Sequence, residues 1–516
     1  MVRFIITGGS VKELDISSFV LCMGCKMQLR KLLEQVDYKL LKGNLDESVN
    51  DVIYDSRKVT KGVAFLCISG TAVDAHRFIP DAVAKGASVI VVEKPVEVEG
   101  DVTVIIVEST RKALALMSAA LFDYPAKKMI TIGLTGTKGK TTTTYMIQKM
   151  LEEAGKKVGV IGTIGAVING EKVKTENTTP ESYELHSIFN KMVDEDCEYV
   201  VMEVSSQGLK MDRVAGIEFD YGVFTNFSAD HIGPTEHADM EEYLYCKSLL
   251  FKQCKVGIIN KDDDNHVGVL EGHTCKVQTF GFSEGSDLRA SNIDFLMMHG
   301  HLGISFDVEG KLDAHVETNI PGRFSSYNSM VALLVGINIG LPKDVMLDAL
   351  SNITVRGRAE IVKVSDDFIV MIDYAHNAVS VESLLTTVSE YNPKRIICVY
   401  GCGGNRSKLR RYDMGELCGK MADLSILTCD NPRDEEVADI NEDIKVGLAR
   451  SGGNYIEIED RTEAIHYALD HAMTGDIIIL IGKGHEEYQE IKGVKHYYNE
   501  REVIEEYANN RTFALK

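Results

Sequence analysis

The sequence has no apolar run near the roughly 20 residues that a membrane-spanning helix needs. Its longest apolar runs, such as Ile477 to Gly482, have the length of a strand. No signal-peptide pattern is present either, because Lys12, Glu13 and Asp15 interrupt the apolar residues near the start. We therefore expect a protein that does not insert into membranes.

Basic residues are fewer than acidic ones, with 56 Lys and Arg against 77 Asp and Glu and a net charge of −21. Such a surface repels polyanions at long range, so the composition argues against nucleic acid and anionic membranes as partners. A small anionic substrate is still compatible with the sequence, but it would need a local basic pocket.

A disulfide framework is also not indicated, because the 11 cysteines are odd in number and scattered. This usage favours a reducing compartment, and we expect a cytoplasmic protein. The one C-x-x-C, Cys22 to Cys25, has no second pair and no His residues at zinc spacing, so the pattern argues against a metal there.

What the sequence does have is the length and pattern of a multidomain α/β protein. The 516 residues predict about three domains at roughly 100–200 residues each. From residue 129 onward, short Val- and Ile-rich runs alternate with helical stretches, which is typical of parallel α/β sheets. The predicted segments are 27–128 as a smaller α/β domain, 129–353 as a central domain with a parallel sheet, and 354–516 as a second β/α series.

Thr135-Gly136-Thr137-Lys138-Gly139-Lys140-Thr141 lies between a predicted strand and a predicted helix. In that context a glycine-rich loop can wrap phosphates with backbone N–H groups. Lys140 would reach the β- and γ-phosphates, and the Thr141 hydroxyl would meet Mg²⁺. The spacing departs from the usual Walker A pattern, since Leu134 stands at the position of its first glycine. The alternative is a glycine-rich turn without chemistry, which the strand, the Gly-Lys-Thr sequence and the helix together disfavour.

Two acidic positions follow strands of the same sheet. Glu203 ends an apolar strand, so its carboxylate is expected at the carboxyl edge beside the phosphate loop, where a metal ligand is needed. Asp230-His231 follows the next strand and falls on the same edge. The residues alone leave His231 open, because a lone His serves as often in structure as in metal binding.

At this point the chain resembles the Mur ligases, the ATP-dependent amino-acid-adding enzymes of peptidoglycan synthesis. The resemblance runs from about Met27 to the C-terminus, so residues 1–26 are expected to be an extension outside the family match. It rests on ordered motifs that include Tyr54-Asp55-Ser56-Arg57, the phosphate loop, Asn177-Thr178-Thr179-Pro180-Glu181, Met202-Glu203-Val204-Ser205-Ser206, Tyr245-Cys246-Lys247-Ser248, Asp373-Tyr374-Ala375-His376, Asp430-Asn431-Pro432-Arg433 and Gly482-Lys483-Gly484-His485-Glu486. Lys138, Gln207 and Met211 depart from the usual family pattern.

The resemblance implies three domains, for a uridine diphosphate substrate, for ATP and for the incoming amino acid, the last of them Rossmann-like. Within the family the chain is similar to the members that add 2,6-diaminopimelate to the D-glutamate carboxylate of UDP-N-acetylmuramoyl-L-alanyl-D-glutamate through an acyl phosphate. It implies ATP as co-substrate, two Mg²⁺ ions, and small-molecule partners only. We expect a monomer.

The resemblance also implies residue roles. The catalytic set is Lys140, Glu203, His231 and Lys247, and the metal ligands are Thr141, Glu203, His231 and Lys247 in a carbamylated form. The ATP contacts are Gly136, Thr137, Lys138, Gly139, Lys140, Thr141, Thr142, Asn328, Asp373 and His376. The contacts to the UDP-muramoyl dipeptide are Ser56, Arg57, Thr178, Thr179, Ser205, Arg213 and Lys247, and those to diaminopimelate are Arg406, Asp430, Asn431, Arg433, Gly482 and Glu486.

Three alternatives remain at this level. A lysine-adding Mur ligase would lack an Arg at 433, and a folylpolyglutamate synthetase would not explain Asp430-Asn431-Pro432-Arg433. A nucleotide-binding regulator that has lost catalysis would not need Lys140, Glu203, His231 and Lys247 together.

Overall fold

Parallel strands that alternate with helices organise most of the chain, and the α/β class predicted from the sequence is confirmed. The computed structural model describes residues 26–70, 74–230, 232–233, 236–298 and 301–510. These residues divide into two compact units, the first ending at Ser286 and the second beginning at Asp287. The Cys22–Cys25 pair lies outside the described residues.

The first unit begins with a small α/β layer. Its elements are β1 (Met27–Gln28), α1 (Leu29–Leu32), β2 (Tyr38–Lys42), β3 (Ser48–Val49), β4 (Val52–Ile53), β5 (Ala64–Leu66), α2 (Ile79–Ala84), β6 (Val89–Val92), β7 (Thr103–Val107) and α3 (Thr110–Leu121). The sheet has the order β2-β7-β6-β5-β4, in which β7, β6, β5 and β4 run parallel. The parallel strands β4 to β7 are almost entirely buried, as continuous apolar runs predict, whereas the antiparallel edge strand β2 is exposed.

A larger, mostly parallel sheet follows within the same unit, with β10 and β11 pairing antiparallel at one edge. Its elements are β8 (Ile130–Thr135), α4 (Lys140–Glu153), β9 (Val158–Gly162), β10 (Gly165–Ile168), β11 (Glu171–Val173), α5 (Ser182–Asp194), β12 (Tyr199–Glu203), α6 (Ser206–Lys210), β13 (Phe219–Phe224), α7 (Met240–Ser248), β14 (Cys254–Asn260), α8 (His266–Val269) and β15 (Lys276–Gly281). The strands of this unit follow the order β11-β10-β9-β12-β8-β13-β14-β15. Strand β8 is central, between β12 and β13, so the residues after these three strands emerge side by side.

The second unit opens with an antiparallel meander. The turn-rich, alternating sequence from about Asp287 to Val316 predicts antiparallel strands, and the sequence from Ser325 to Ile339 predicts the long helix that follows them. Its first elements are β16 (Leu288–Met298), β17 (His301–Gly310), β18 (Ala314–Thr318), α9 (Phe324–Ile339) and α10 (Lys343–Ser351). The Tyr391 hydroxyl donates to Gly303 O across 2.8 Å and accepts from Gly322 N–H across 3.0 Å. These bonds tie the meander to the rest of the unit, so the compact division falls inside the segment 129–353. The three-domain boundaries stay a prediction.

The rest of the second unit is a parallel sheet with flanking helices. Its elements are β19 (Glu360–Ile361), β20 (Ile369–Asp373), α11 (Ala378–Ser389), β21 (Arg395–Tyr400), α12 (Lys408–Met421), β22 (Leu424–Leu427), α13 (Val437–Ser451), β23 (Tyr455–Glu457), α14 (Arg461–Asp470), β24 (Asp476–Ile481), β25 (Tyr488–Ile491), β26 (Val494–Tyr497) and α15 (Glu500–Asn510). The order is β19-β20-β24-β21-β22-β23, and β25 with β26 forms a separate hairpin. In the described part of the chain, no helix is long and apolar enough to cross a membrane.

Candidate active site

The loop between β8 and α4 has the backbone shape that phosphate wrapping needs. Gly136 has φ +146° and Gly139 has φ +86°, a region that favours glycine. A Cβ on Gly136 would lie 2.0 Å from Thr225 Oγ1, so no side chain fits there. Gly139 directly precedes α4, whose first turn contains Thr141 and Thr142. The loop therefore meets a helix N-terminus, where backbone N–H groups and the helix dipole favour anions.

The segment after β13 holds this loop in place. The Asn226 side chain accepts from Lys138 N–H across 2.9 Å and donates to Lys138 O across 3.0 Å. Thr137 N–H donates to Asn226 O across 2.9 Å. The Lys138 side chain itself is exposed, so position 138 contributes to the loop through its backbone.

The Lys140 amine is held against the loop. It donates to Gly136 O across 2.8 Å and to Thr137 O across 3.2 Å. An ammonium at this place provides the positive charge that a nucleotide phosphate requires.

Glu203 ends β12 at the edge beside the loop, as predicted, and only 2% of it is exposed. Its Oε1 accepts from the Thr141 hydroxyl across 2.9 Å and from Thr163 N–H across 3.0 Å. The Thr163 hydroxyl lies 3.2 Å from Oε2. Within the described residues these partners are all neutral. Because a buried carboxylate needs a compensating charge, the pair of Thr141 and Glu203 suits a hard cation such as Mg²⁺.

Lys247 lies on α7 with 1% of its surface exposed. Its amine donates to Gly136 O across 2.9 Å and lies 4.3 Å from the centre of the Tyr243 ring. Burial, reinforced by the nearby Lys140 ammonium, holds the pKa of Lys247 well below its ordinary value. A lowered pKa enriches the neutral amine, which is the form that reacts with CO₂.

The remaining predicted metal ligand, His231, lies outside the described residues, and its neighbour Asp230 is exposed. Across the described ranges, no group of three His, Cys, Asp or Glu residues is arranged to hold a metal. The ligand set of Thr141, Glu203, His231 and carbamylated Lys247 therefore stays a prediction.

Sequence reasoning missed two buried residues beside the loop, Tyr243 and His237. The Tyr243 hydroxyl lies 3.3 Å from Thr137 Oγ1, and burial raises its pKa to about 12. The centre of the Tyr243 ring is 5.0 Å from the centre of the His237 ring. The Nε2 atom of His237 lies 2.9 Å from Ser206 Oγ. Tyr243 is one helical turn before Lys247, so the i, i+4 spacing on a predicted helix could have indicated that the two share a face.

The residues predicted for the muramoyl dipeptide form a connected group after β12. The Thr179 hydroxyl donates to Glu203 O across 3.0 Å and accepts from Ser205 N–H across 2.9 Å. Arg213 donates to Thr179 O across 3.0 Å and pairs with Glu181 at 2.7 Å. The predicted contact Thr178 has its hydroxyl 3.3 Å from that of Thr163. Thr178 is therefore linked to the Glu203 carboxylate through Thr163, whereas Thr179, with Ser205 and Arg213, is linked to the backbone carbonyl of Glu203.

Ser56 and Arg57 lie elsewhere in the first unit, on a 3₁₀ turn that Asp55 caps. The Arg57 side chain is 87% exposed and pairs with Asp55 at 2.7 Å. The Tyr54 hydroxyl donates to Glu184 across 2.7 Å, which connects this turn to α5.

The second unit carries the three residues predicted for the adenine and ribose of ATP. Asn328 is buried on α9. Asp373 ends β20 and accepts from the backbone N–H groups of Ala359 and Ala375, each across 2.7 Å, while burial raises its pKa. His376 is exposed, with Nδ1 2.9 Å from Tyr374 O. These roles stay predictions.

The loops after β22 and β24 bring most of the predicted amino-acid contacts together. Asn431 donates to Glu486 Oε2 across 2.8 Å. The fully buried Lys483 donates to Asn431 Oδ1 across 3.2 Å and lies 3.7 Å from Asp430 and 3.6 Å from Glu486. Lys483 belongs to the motif Gly482-Lys483-Gly484-His485-Glu486, but the sequence analysis assigned it no role. Its burial, which depends on the tertiary fold, gave no signal in the sequence.

Arg433 lies next to this cluster. Its Nη1 donates to Gly404 O across 2.7 Å, and 24% of the side chain is exposed. Gly482 has φ +117°, and a Cβ there would lie 3.2 Å from Asp430 Oδ2. Arg406 is exposed on the neighbouring loop. Two carboxylates around one buried ammonium, with a guanidinium beside them, complement a ligand end that carries both an ammonium and a carboxylate.

A second buried cation lies beneath both loops. Arg461 donates to Cys429 O across 3.1 Å and to Ile481 O across 3.0 Å, the carbonyls just before Asp430 and Gly482. Its Nε donates to Glu500 Oε1 across 2.7 Å, and both side chains are buried. The ion pair therefore fixes the spacing of the two loops.

A parallel sheet with a glycine loop, a helix N-terminus and a buried carboxylate on the adjacent strand defines a P-loop nucleotide-binding protein. Family comparisons match residues 48–121 to the "Mur ligase family, catalytic domain", 134–336 to the "Mur ligase middle domain" and 357–484 to the "Mur ligase, glutamate ligase domain". The chain belongs to the Mur ligase family.

Individual relatives extend the comparison. The chain is 41% identical over 485 residues to UDP-N-acetylmuramoyl-L-alanyl-D-glutamate–2,6-diaminopimelate ligase of Clostridium perfringens, covering 93% of this chain and 99% of that protein. It is 38% identical over 488 residues to the ligase of the same name of Clostridioides difficile, with the same two coverages. A solved structure of a ligase with this name matches with a TM-score of 0.72 and 26% identity, covering 94% of this chain and 99% of that one.

Proposed function

We propose that the protein is an ATP-dependent ligase of peptidoglycan precursor synthesis. It joins an amine of 2,6-diaminopimelate to the side-chain carboxylate of D-glutamate in UDP-N-acetylmuramoyl-L-alanyl-D-glutamate. Family membership and the names of the relatives support this reaction. The observation that carries the choice of amino acid is Arg433 beside the Asp430–Lys483–Glu486 cluster.

The reaction forms one amide bond in two steps. A D-glutamate carboxylate oxygen attacks the γ-phosphorus of ATP, the bond from that phosphorus to the bridging oxygen breaks, and ADP leaves with the electron pair. The diaminopimelate ammonium loses a proton, and the neutral amine attacks the acyl carbon. A second proton then leaves the nitrogen, and phosphate leaves with the electron pair of the broken carbon–oxygen bond. Because two anions meet in the first step, the protein's main tasks are positioning and charge neutralisation.

Residues of the first unit are suited to the first step. The loop backbone at Gly136 to Thr141 would bind the phosphates, and the Lys140 ammonium would neutralise charge on the γ-phosphate. Thr141 and Glu203 fit Mg²⁺, because the buried carboxylate has only neutral partners among the described residues. Lys247, once carbamylated, would add an anionic oxygen ligand, and His231 stays a proposed ligand. Bound Mg²⁺ would supply Lewis-acid charge stabilisation.

Residues of the second unit are suited to select the amino acid. Diaminopimelate differs from lysine by a carboxylate at its distal end, and a guanidinium suits that group. Arg433 would bind this carboxylate, and Glu486 and Asp430 would bind the neighbouring ammonium. A lysine side chain would offer no carboxylate to the remaining N–H groups of the guanidinium and would bring a second positive charge near it, so the site would disfavour lysine.

We further propose that the segments 27–128, 129–353 and 354–516 are the domains for the UDP substrate, for ATP and for the amino acid. The protein would act as a cytoplasmic monomer on small molecules. The free thiols of the nine cysteines in the described residues support a reducing compartment. The molecular mass of the purified protein in solution, measured by analytical ultracentrifugation, would test the monomeric state.

Product formation with purified protein tests the proposal. With ATP and the UDP-muramoyl dipeptide, diaminopimelate should support product formation, while lysine and glutamate should not. Arg433→Ala should weaken binding of diaminopimelate in the transition state by about 2–5 kcal/mol, as expected when one member of a charge pair is lost. The loss is measured as a lower kcat/KM for diaminopimelate. Arg356→Ala is the matched control, because Arg356 forms an exposed ion pair with Glu487.

The alternatives give different results in the same assay. A lysine-adding ligase would prefer lysine, and a folylpolyglutamate synthetase would consume ATP with a folate and glutamate. A regulator without catalysis would bind ATP but release no phosphate. An unchanged kcat/KM for diaminopimelate in Arg433→Ala would remove the role of Arg433.

A further inference from the structure

The hairpin of β25 and β26, with Lys492 and Gly493 at its turn, binds the backbone of Arg433. Arg433 N–H donates to Glu490 O across 3.0 Å, and Lys492 N–H donates to Arg433 O across 2.7 Å. Arg433 and Ile491 therefore form a parallel β-bridge. The hairpin lies beyond the last family motif of the chain, which ends at Glu486.

The hairpin holds Arg433 in a backbone conformation that a non-glycine residue rarely adopts. Its φ is +52°, in the left-handed region, where side chains other than glycine are disfavoured. A residue keeps this conformation when its surroundings impose it. The two backbone hydrogen bonds to Glu490 and Lys492 are that constraint, so the hairpin determines the direction in which the Arg433 side chain leaves the loop.

Glu490 also contacts the side chains of the same loop. Its Oε2 accepts from Arg433 Nε across 3.2 Å, and its N–H donates to Asn431 Oδ1 across 3.0 Å. On the other side of the guanidinium, Arg433 Nη1 donates to Gly404 O. Among the described residues, these bonds use two of the five guanidinium donors, which leaves three for a ligand. Glu490 and Gly404 thus fix the plane of the group and leave its outer end for a carboxylate.

We propose that Glu490 is a positioning residue that orients Arg433 toward the distal carboxylate of the incoming amino acid. The inference rests on the proposed function, because that function supplies the carboxylate. Glu490 and Arg433 form an ion pair with Oε2 3.2 Å from Nε, and the part of this contact that we assign to orientation is the single hydrogen bond that Oε2 accepts from Nε. It does not touch the substrate.

Two competing roles make different predictions. If the Glu490 carboxylate competed with the substrate carboxylate for Arg433, its removal would improve binding of the amino acid. If its negative charge attracted the substrate ammonium, then glutamine would be as poor a replacement as alanine. Orientation alone predicts that alanine fails and glutamine succeeds, because a glutamine carbonyl still accepts from Nε.

The experiment compares Glu490→Ala, Glu490→Gln and the control Glu487→Gln in the full-length protein. KM is measured for diaminopimelate, ATP and the UDP-muramoyl dipeptide, and turnover is compared between diaminopimelate and lysine. Glu487 is the matched control because it pairs with Arg356 at 3.0 Å, away from Arg433. Glu490→Ala should raise KM for diaminopimelate about tenfold or more, as loss of a hydrogen bond to a charged group predicts.

The other parameters complete the expected result. In Glu490→Ala, KM for ATP and the dipeptide should stay within about twofold, and the preference for diaminopimelate over lysine should fall. Glu490→Gln and Glu487→Gln should resemble the wild type. A lower KM for diaminopimelate in Glu490→Ala, an equal loss in both Glu490 variants, or equal changes in all three KM values would overturn the proposal.

The amino acid that the wild-type protein uses distinguishes a failure of the Glu490 proposal from a failure of the proposed function. Failure of the wild type to use diaminopimelate would count against the function. If it used another amino acid with a distal carboxylate, the same ranking of variants is expected with that amino acid. If Glu490→Ala does not fold, Glu490→Gln still decides, since a tenfold loss in it would contradict orientation by a neutral acceptor.

Discussion

The Thr141 hydroxyl donates a hydrogen bond to Glu203 Oε1 across 2.9 Å, although 62 positions separate the two residues in the chain. Parallel pairing of β12 with β8 places Glu203 opposite Leu134, directly before the phosphate loop. The contact between Thr141 and Glu203, the two described residues of the proposed Mg²⁺ site, is thus a consequence of the strand order. Because the carboxylate is buried, its charge needs a cation when the site is in use.

Glu203→Gln should keep the fold and lose activity. The amide still accepts from Thr141 and Thr163, so the hydrogen bonds persist while the charge is lost. We expect kcat to fall at least about a hundredfold and the Mg²⁺ requirement to rise, as for other changes at metal ligands. Product formation is measured across a Mg²⁺ titration. Glu198→Gln, an exposed glutamate that pairs with Lys156, is the control. A wild-type Mg²⁺ dependence in Glu203→Gln would exclude the assigned role.

Activity should depend on bicarbonate through Lys247. Its lowered pKa favours the neutral amine, which adds CO₂ to form a carbamate. Protein depleted of CO₂ should lose activity and regain it with bicarbonate, and ¹³C-bicarbonate should give a protein carbamate NMR signal. Lys247→Ala should lose both the signal and the activity. Lys252→Ala changes an exposed lysine nearby and should retain both. A carbamate signal that persists in Lys247→Ala would assign the modification to another lysine.

Arg461→Met should destabilise the protein strongly. The change leaves the Glu500 carboxylate buried without its partner and removes the donors to Cys429 O and Ile481 O. Breaking such a pair costs about 3–5 kcal/mol, measured by chemical denaturation of the full chain. Arg461→Met combined with Glu500→Leu should recover part of this loss. Arg450→Ala, at an exposed ion pair with Glu416, should cost about 0–1 kcal/mol. If Arg461→Met and Arg450→Ala lowered the free energy of unfolding equally, the stabilising role of the buried Arg461–Glu500 pair would be contradicted.

The free energy of unfolding should decrease as the pH is lowered, because His186 is buried in its neutral form. This residue is buried on α5, and within the described residues neither ring nitrogen has a hydrogen-bond partner. Burial lowers its pKa from 6.5 to about 4. Above pH 6.5 the ring is neutral in both the folded and the unfolded state, so it has no effect. As pH falls from 6.5 to about 4, only the unfolded state takes up the proton, which removes up to about 3 kcal/mol of stability.

His186→Phe is the variant that tests this slope. The free energy of unfolding is measured between pH 7 and pH 4 in the wild type and the variant, and the difference between them should grow as pH falls. The exposed His273 provides the control, since His273→Phe should leave the slope unchanged. A constant difference between wild type and His186→Phe across this range would show that His186 does not titrate as stated.

Much of the fold could be predicted because apolar runs and glycines act locally. The strand and helix around the phosphate loop, the meander after Asp287 and the long helix before Gly340 all follow from period and composition. The hairpin at Tyr488 was missed, because its second strand is exposed throughout and shows no apolar alternation. Glu203 was found because it is the charged last residue of an apolar strand. Lys483, Tyr243 and Arg461 were missed because no local pattern distinguishes a buried polar residue from an exposed one.

The sequence by itself determined the class of fold, the family and the residue types at each loop, since motif order and strand period are written along the chain. Only the tertiary structure decided which of those residues meet. It placed a buried ammonium between Asp430 and Glu486, and it set Arg433 on the backbone of a hairpin nearly 60 residues away. The reason is physical: burial and long-range hydrogen bonds depend on how strands and loops from distant parts of the chain pack together, and no short stretch of sequence contains that information.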